Sequence, residues 1–482
     1  LDLASACAIA RAIADRKLTA EAAVHHGIAR IDAVNPALNA VVATRFDEAL
    51  AEARAVDRAI ARGESLPPFA GVPCTIKEAF ALTGMPQTSG LVARKGRVSS
   101  QDGTTVRRLR EAGAIPLGVT NVSELCMWME STNVVYGRTN NPYDVRCTAG
   151  GSSGGEGSIV GSGASPFGLG SDIGGSIRMP AFFNGVFGHK ASSGVVPATG
   201  QYPIAHGRAR ALLSTGPICR RAEDLWPLLR ILAGPDGEDA SATTLLAGDP
   251  AAVDPRELEV FVVRDNGRLA VADELMDAVE RSALALARRG AKVRRFSHPL
   301  FARSLEIWAA NMAAGDGPTF AELMGEGTAV PPLRELGRFL VRRSRHTLPA
   351  IGLGLIEKLS ERFPGPLAEM LRATAELRAA LEDLLGGANG RGVLLYPPYP
   401  ETAPRHVRPL LFPVKWMYTA IFNALELPVT QVPTGLDRRG LPTGVQVVAA
   451  HGGDARTIAV ARMLEDALGG WVPPALHAPV TA

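Results

Sequence analysis

The chain has 482 residues, 46% of them hydrophobic, and a formal net charge of +3. So much apolar side chain can fill a large core, and so small a charge argues against a dedicated nucleic-acid binder. No apolar run approaches the roughly 18 residues that a membrane-spanning helix needs.

In chain order, residues 1–63 read as helices, with Ala, Leu, Ile and Val at three- and four-residue spacing. Thr19, followed by Glu21 and Ala22, marks a helix start. Residues 37–43 (ALNAVVA) read as a short strand and 47–62 as an amphipathic helix. Gly71 to Lys77 reads as a buried strand that ends on a lysine. Residues 102–113 are expected to be helical, Ile115 to Val119 a strand, and Asn121 to Glu130 a helix. Such alternation predicts an α/β layer fold. Further on, strands at 256–263 and 289–296 flank a helix at 270–288, and 301–386 is helical in pattern almost throughout. Strands follow at 393–396, 427–433 and 443–450, with a last helix at 454–468.

The five cysteines, Cys7, Cys74, Cys126, Cys147 and Cys219, form no CxxC pair. An odd number without pairing suits reduced thiols in the cytoplasm, with Cys74 and Cys147 as buried structural groups. The nine histidines form no HExxH or HxH cluster, so a metal site is not expected, and no cofactor is implied. The chain starts at Leu1 and not at Met, which leaves room for a trimmed leader or anchor.

Gly150 to Arg178, GGSSGGEGSIVGSGASPFGLGSDIGGSIR, carries the chemistry. Eleven glycines fall between 150 and 175. A flexible linker would have no use for Ile159, Val160, Phe167, Leu169 and Ile173 at structured intervals. Ser153-x-x-Glu156 matches a capping box that would open a helix at Gly155, and Pro166 breaks the chain before a strand at Phe167 to Gly170. Gly174-Gly175-Ser176 allows a tight turn whose N–H groups converge, a nest able to hold an oxyanion beside a serine nucleophile. Serine needs a base. Only His189 lies near in sequence, with no Asp–His pairing at a recognisable spacing.

Lys77 after a buried strand, GGSSGG at 150–155 and DIGGSIR at 172–178 together resemble the amidase signature family. Asn140-Asn141-Pro142, Gly185 to Lys190 and LPVTQVPTGLDRRGLPTGVQ at 427–446 extend the likeness, as do Arg30-Ile31 and Leu38-Asn39-Ala40. It covers nearly the whole chain apart from roughly 240–385. Within the family, Lys77-Glu78, the Gly-Gly-Glu after the paired serines and GSDIGGSIRMPAFFNGVFGHK are most like the fatty acid amide hydrolase branch. Ala191 departs from the family, where a proline usually follows the lysine.

The resemblance implies an α/β amidase-signature fold: one domain over residues 1–482, a central mixed sheet with helices on both faces, and a helical cap at 301–386 over the substrate entrance. It implies Ser176 as nucleophile, Ser152 as bridging serine on a cis peptide bond and Lys77 as base. The N–H groups of Ile173, Gly174, Gly175 and Ser176 are then the oxyanion hole. Ser153, Asp172 and Arg178 are expected to hold the glycine loop, and Cys126, Met127, Trp128 and Met129 either to border the acyl pocket or to be plain core. A lysine can serve as base near neutral pH only where burial disfavours its charge, and the apolar 72–76 strand offers that.

The expected substrates are small-molecule amides with an apolar acyl or aryl group, then carbamates and esters, handled by a monomer or homodimer. The alternative is a subunit of a glutamine-dependent tRNA amidotransferase with the same triad. A nucleophile elbow at Gly150-Gly151-Ser152-Ser153-Gly154 is disfavoured, because 144–149 makes a poor buried strand. Residues 333–345 set Arg334, Arg338, Arg342, Arg343 and Arg345 among apolar residues. This reads first as a solvated helix face and second as a basic amphipathic helix in weak contact with a membrane surface or an anionic ligand.

Overall fold

The computed structural model describes residues 3–362 and 366–477. Its strands in chain order are β1 (Val41–Thr44), β2 (Pro73–Lys77), β3 (Ile115–Thr120), β4 (Thr132–Asn133), β5 (Gly137–Arg138), β6 (Phe167–Asp172), β7 (Phe187–Lys190), β8 (Ser214–Cys219), β9 (Glu259–Val262), β10 (Lys292–Arg295), β11 (Gly392–Tyr396), β12 (Val429–Leu436) and β13 (Pro442–Val448). Apart from a β4–β5 ribbon, they form one 11-stranded sheet in the order β1-β3-β2-β6-β8-β7-β12-β13-β11-β9-β10. The sheet is mixed: β3, β2 and β6 run parallel, as do β11, β9 and β10, and antiparallel pairs join the two groups.

Central strands such as β2, β3 and β13 are buried at every position. Their near-continuous apolar sequence follows from helices covering both faces. One core lines most of the sheet, and a second gathers Leu377, Leu381 and Leu385 against Tyr396, Tyr418 and Phe422.

Thr19 caps the helix Ala20–Leu38 by accepting a hydrogen bond from Ala22 N, as expected. That helix runs further than its sequence suggests, to a left-handed Asn39, so the strand begins only at Val41. The helix expected at 121–130 is a single turn, Glu124–Cys126, with Leu125 at φ 54 and Cys126 at φ 59. Tertiary partners override helix propensity here. Leu125 N donates to Ser89 O, and the Glu124 carboxylate accepts from His346 and Thr347 N.

Region 301–386 folds as helices Ser304–Ala313, Phe320–Met324, Pro332–Leu340, Leu348–Arg362 and Leu367–Leu385. The middle three seal a small core with Leu91 and Leu125 through Phe320, Met324, Ala350 and Ile351. The last one is different. It packs into the second core against β11, and lines no part of the cavity described below.

Candidate active site

Strands β2 and β6 are neighbours and parallel, so the chain leaves both at the same end of the sheet. Ligands gather at such carboxyl ends in α/β folds. Lys77 is the last residue of β2, and Asp172 the last of β6. Lys77 Nζ donates to Ser152 Oγ at 2.7 Å and to Ser171 Oγ at 3.0 Å. The lysine has no solvent exposure. Burial holds its pKa below the ordinary lysine value, because charge is costly where water is absent. The Gly151–Ser152 peptide is cis.

Ser176 follows β6 by four residues and is 7% exposed, opening into the cavity that Ser152 and Ser171 also line. The Ser152 and Ser176 hydroxyls share this floor without a hydrogen bond between them.

The loop 173–176 is held at every carbonyl. Asn423 Nδ2 donates to Asp172 O at 3.0 Å, Trp308 Nε1 to Ile173 O at 2.7 Å and Thr419 Oγ1 to Gly174 O at 2.8 Å. Met179 N donates to Gly175 O at 2.7 Å and Ser153 N to Ser176 O at 3.2 Å. A peptide N–H points opposite its carbonyl, so each bond also aims the next residue's N–H. Among the described residues, the N–H groups of Ile173, Gly174 and Ser176 meet no protein acceptor. Gly175 N instead donates to Asp172 Oδ1 at 2.7 Å, which takes it out of the expected oxyanion set.

Asp172 and Arg178 form a buried ion pair at 3.0 Å under the loop. Burial alone would raise the Asp172 pKa, yet the guanidinium beside it holds the carboxyl well below its ordinary range. Asp172 also accepts from Ile177 N and Arg178 N, and Arg178 reaches Thr419 O, Gln446 and Asn423. Both charges are used in holding the loop and the residues packed beneath it.

Two glutamates have roles that a local reading of the sequence misses. The capping box is not formed. The helix Gly154–Gly161 starts without a side-chain cap, and Ser153 Oγ bonds Ser171 O at 3.3 Å. Glu156 turns inward, accepting from Thr75 Oγ1 at 2.6 Å and Thr120 Oγ1 at 2.8 Å, which ties β2 to β3 behind Lys77. Burial pushes its pKa up to about 8. Gly168 makes room for it, since a Cβ there would overlap the carboxylate. Glu78, pushed by burial up to about 7, accepts from Thr88 N, Ser89 N and the Thr88 and Tyr136 hydroxyls.

The cavity encloses about 480 Å³. Cys126 and Met127 line it, whereas Trp128 and Met129 do not; they pack with Phe182, Phe183 and Tyr399 in a separate core. The left-handed turn at 125–126 causes this split. Its other walls come from Ile173, Leu213 and the cap residues Trp308, Met312, Phe320 and Leu353. None of these cap residues carried a motif. His189, buried, bonds Thr430 Oγ1 and Asp454 Oδ1 and serves no serine. Residues 144–149 form only isolated bridges, so Ser152 does not sit on a nucleophile elbow. No cluster of metal-ligating side chains occurs among the described residues.

A family model for amidases matches residues 22–458. Fatty-acid amide hydrolase 2-A of Danio rerio is 46% identical over 490 residues, covering 98% of this chain and 90% of that protein. A glutamyl-tRNA(Gln) amidotransferase subunit of Oleidesulfovibrio alaskensis is 30% identical over 480 residues, covering 95% of this chain and 96% of that protein. Among solved structures, 6-aminohexanoate cyclic dimer hydrolase complexed with substrate has a TM-score of 0.80 at 25% identity, covering 99% of each chain.

Proposed function

The chain belongs to the amidase family and hydrolyses amide C–N bonds, and from that premise we propose that it is a serine amidohydrolase of apolar acyl or aryl amides, acting through Lys77, Ser152 and Ser176. The observation that carries the reading is the 2.7 Å bond from a buried Lys77 to Ser152, on the floor of a largely apolar cavity that Ser176 shares.

Neutral Lys77 draws the proton of Ser152, which draws that of Ser176 as its Oγ attacks the substrate carbonyl. The bond between the two serines closes once substrate is bound, since catalytic hydrogen bonds often tighten only then. The oxyanion is held by the N–H groups of Ile173, Gly174 and Ser176. The relay then hands the proton to the nitrogen of the collapsing intermediate. An amine departs poorly unless protonated, so a relay that returns its proton suits amides. Water attacks the acyl-enzyme by the reverse route. Carbamates and esters fit the same steps.

The cap helices Pro332–Leu340 and Leu348–Arg362 expose Leu333, Leu340, Val341 and Ile356 near Arg334, Arg342 and Arg343. A weak membrane-surface contact there would appear as salt-sensitive co-sedimentation with anionic vesicles, and its absence would restore the plain solvated face.

The test of the substrate class is amine release from matched aryl amides, aryl carbamates and esters by the isolated chain. Turnover of apolar amides is expected. No turnover of any of them, with release of ammonia from glutamine in a larger assembly, would favour the amidotransferase reading instead.

A further inference from the structure

The residue that sets the direction of the Gly174 N–H does not come from the sheet or from the glycine segment. It comes from the cap. Trp308 lies on the helix Ser304–Ala313, and its indole N–H donates to Ile173 O at 2.7 Å. Ile173 C=O and Gly174 N–H belong to one planar peptide, so a donor on the carbonyl fixes the N–H on the opposite side.

The indole itself is held. Its ring meets Trp416 edge-on with centroids 4.6 Å apart, and a Cβ on Gly174 would touch both rings. One turn further on, Asn311 Nδ2 donates to Thr374 Oγ1 at 2.8 Å and Asn311 Oδ1 accepts from Arg208 at 2.8 Å, which fixes the helix. Trp308 also lines the cavity. The same side chain therefore meets the substrate's side of the cavity and the backbone of the oxyanion loop.

We propose that Trp308 is a positioning residue for acyl transfer: it aims the Gly174 N–H at the developing oxyanion, and so ties the seating of the cap to the chemical step. This rests on the reading of Ser176 as nucleophile. A glycine has no side chain to restrict its peptide, so without the indole N–H the Ile173–Gly174 peptide can turn away and the oxyanion loses a donor. An aimed donor is felt in the transition state, where the charge develops, and hardly at all in the ground state.

The experiment compares wild type, Trp308→Phe, a protein with 3-benzothienylalanine at position 308, and Ser176→Ala. Phenylalanine keeps a ring against Trp416, while the benzothienyl group keeps the indole's shape and replaces only its N–H by sulfur. Both are expected to lower kcat for an aryl amide by about 10- to 100-fold, somewhat less than outright loss of an oxyanion donor, with KM within about twofold. Affinity for a trifluoromethyl ketone, which forms an oxyanion adduct with the nucleophile, is expected to fall in step, while affinity for the matched reduced-amide analogue (CH2–NH in place of CO–NH), which has no carbonyl and cannot form one, stays unchanged. Wild-type kcat in the benzothienyl protein would overturn the proposal, as would a raised KM at constant kcat, which would make Trp308 a wall of the pocket only. Turnover that survives in Ser176→Ala would instead overturn the nucleophile assignment.

Discussion

Lys77 has hydroxyls, and no carboxylate, within hydrogen-bond reach of its ammonium nitrogen. A base must be neutral, and burial moves Lys77 towards neutrality. Amide turnover should therefore fall as pH drops through the lowered lysine pKa, with the acidic limb of kcat/KM below the ordinary value of about 10.4. Lys77→Ala should cost amides about 10²- to 10⁴-fold and esters clearly less, because an ester's leaving group needs less protonation. Equal losses on both substrates, measured side by side, would remove Lys77 from the leaving-group step.

Glu156 makes a separate prediction. Its folded pKa of about 8 lies above the ordinary 4.5, so the folded chain keeps a proton that the unfolded chain releases. That contribution is complete below pH 4.5 and is lost as pH rises through about 8. Glu156→Gln cannot ionise, so its Tm should fall less steeply than wild type between those limits; parallel curves would contradict the assignment. Ser152, Ser176 and Lys77, the groups proposed to act together, could be singled out in the sequence because the serines sit in long motifs and the lysine ends a buried strand. Trp308, Thr419 and Asn423 could not be, since each acts on the site across the fold, and Ser171 stood inside the glycine segment with no role read for it. Glu156 was misread because a local capping rule competed with two threonines on neighbouring strands.

Among the elements, the loop 173–176 leaves little room for change at Gly175. Gly175 has φ 124, a region that side chains rarely adopt, and a Cβ there would overlap the Thr419 hydroxyl that holds Gly174 O. Gly175→Ala should cut kcat at least about 100-fold, on the scale of a lost oxyanion donor, with far-ultraviolet circular dichroism unchanged. Near-normal kcat would mean that the loop's carbonyl clamps do not matter. Strong periodicity made many of the strands and the long helices readable, though β7 and β8 were not expected: Asp454–Leu468 is a helix as expected, and most of 301–386 is helical. The turn at 124–126 was not readable, because His346 and Thr347, more than 200 residues away, decide it.

For the whole molecule, the division of labour follows the sheet. Its parallel strand ends bring Lys77 and Asp172 together, the loop that leads into the helix Gly154–Gly161 brings Ser152, and residues of the 304–357 region line the cavity's other walls. The resemblance covered the glycine segment and the sheet apart from β9 and β10, which was enough to read the fold class. It faded at roughly 240–385, where the apolar walls of the cavity arise, so those walls could not be named in advance. Of the cap expected at 301–386, residues between Trp308 and Leu323 and between Leu353 and Glu357 reach the cavity, and the helix Leu367–Leu385 serves the core.

The central claim is that Ser176 carries the acyl group. Rapid quenching of the wild-type chain during turnover of a p-nitrophenyl ester, followed by intact mass and peptide mapping, tests it directly. The account predicts one acyl adduct per chain, mapped to Ser176, absent in Ser176→Ala and slow to form in Lys77→Ala. An adduct on Ser152, on Cys126 or on no residue while turnover proceeds would contradict it.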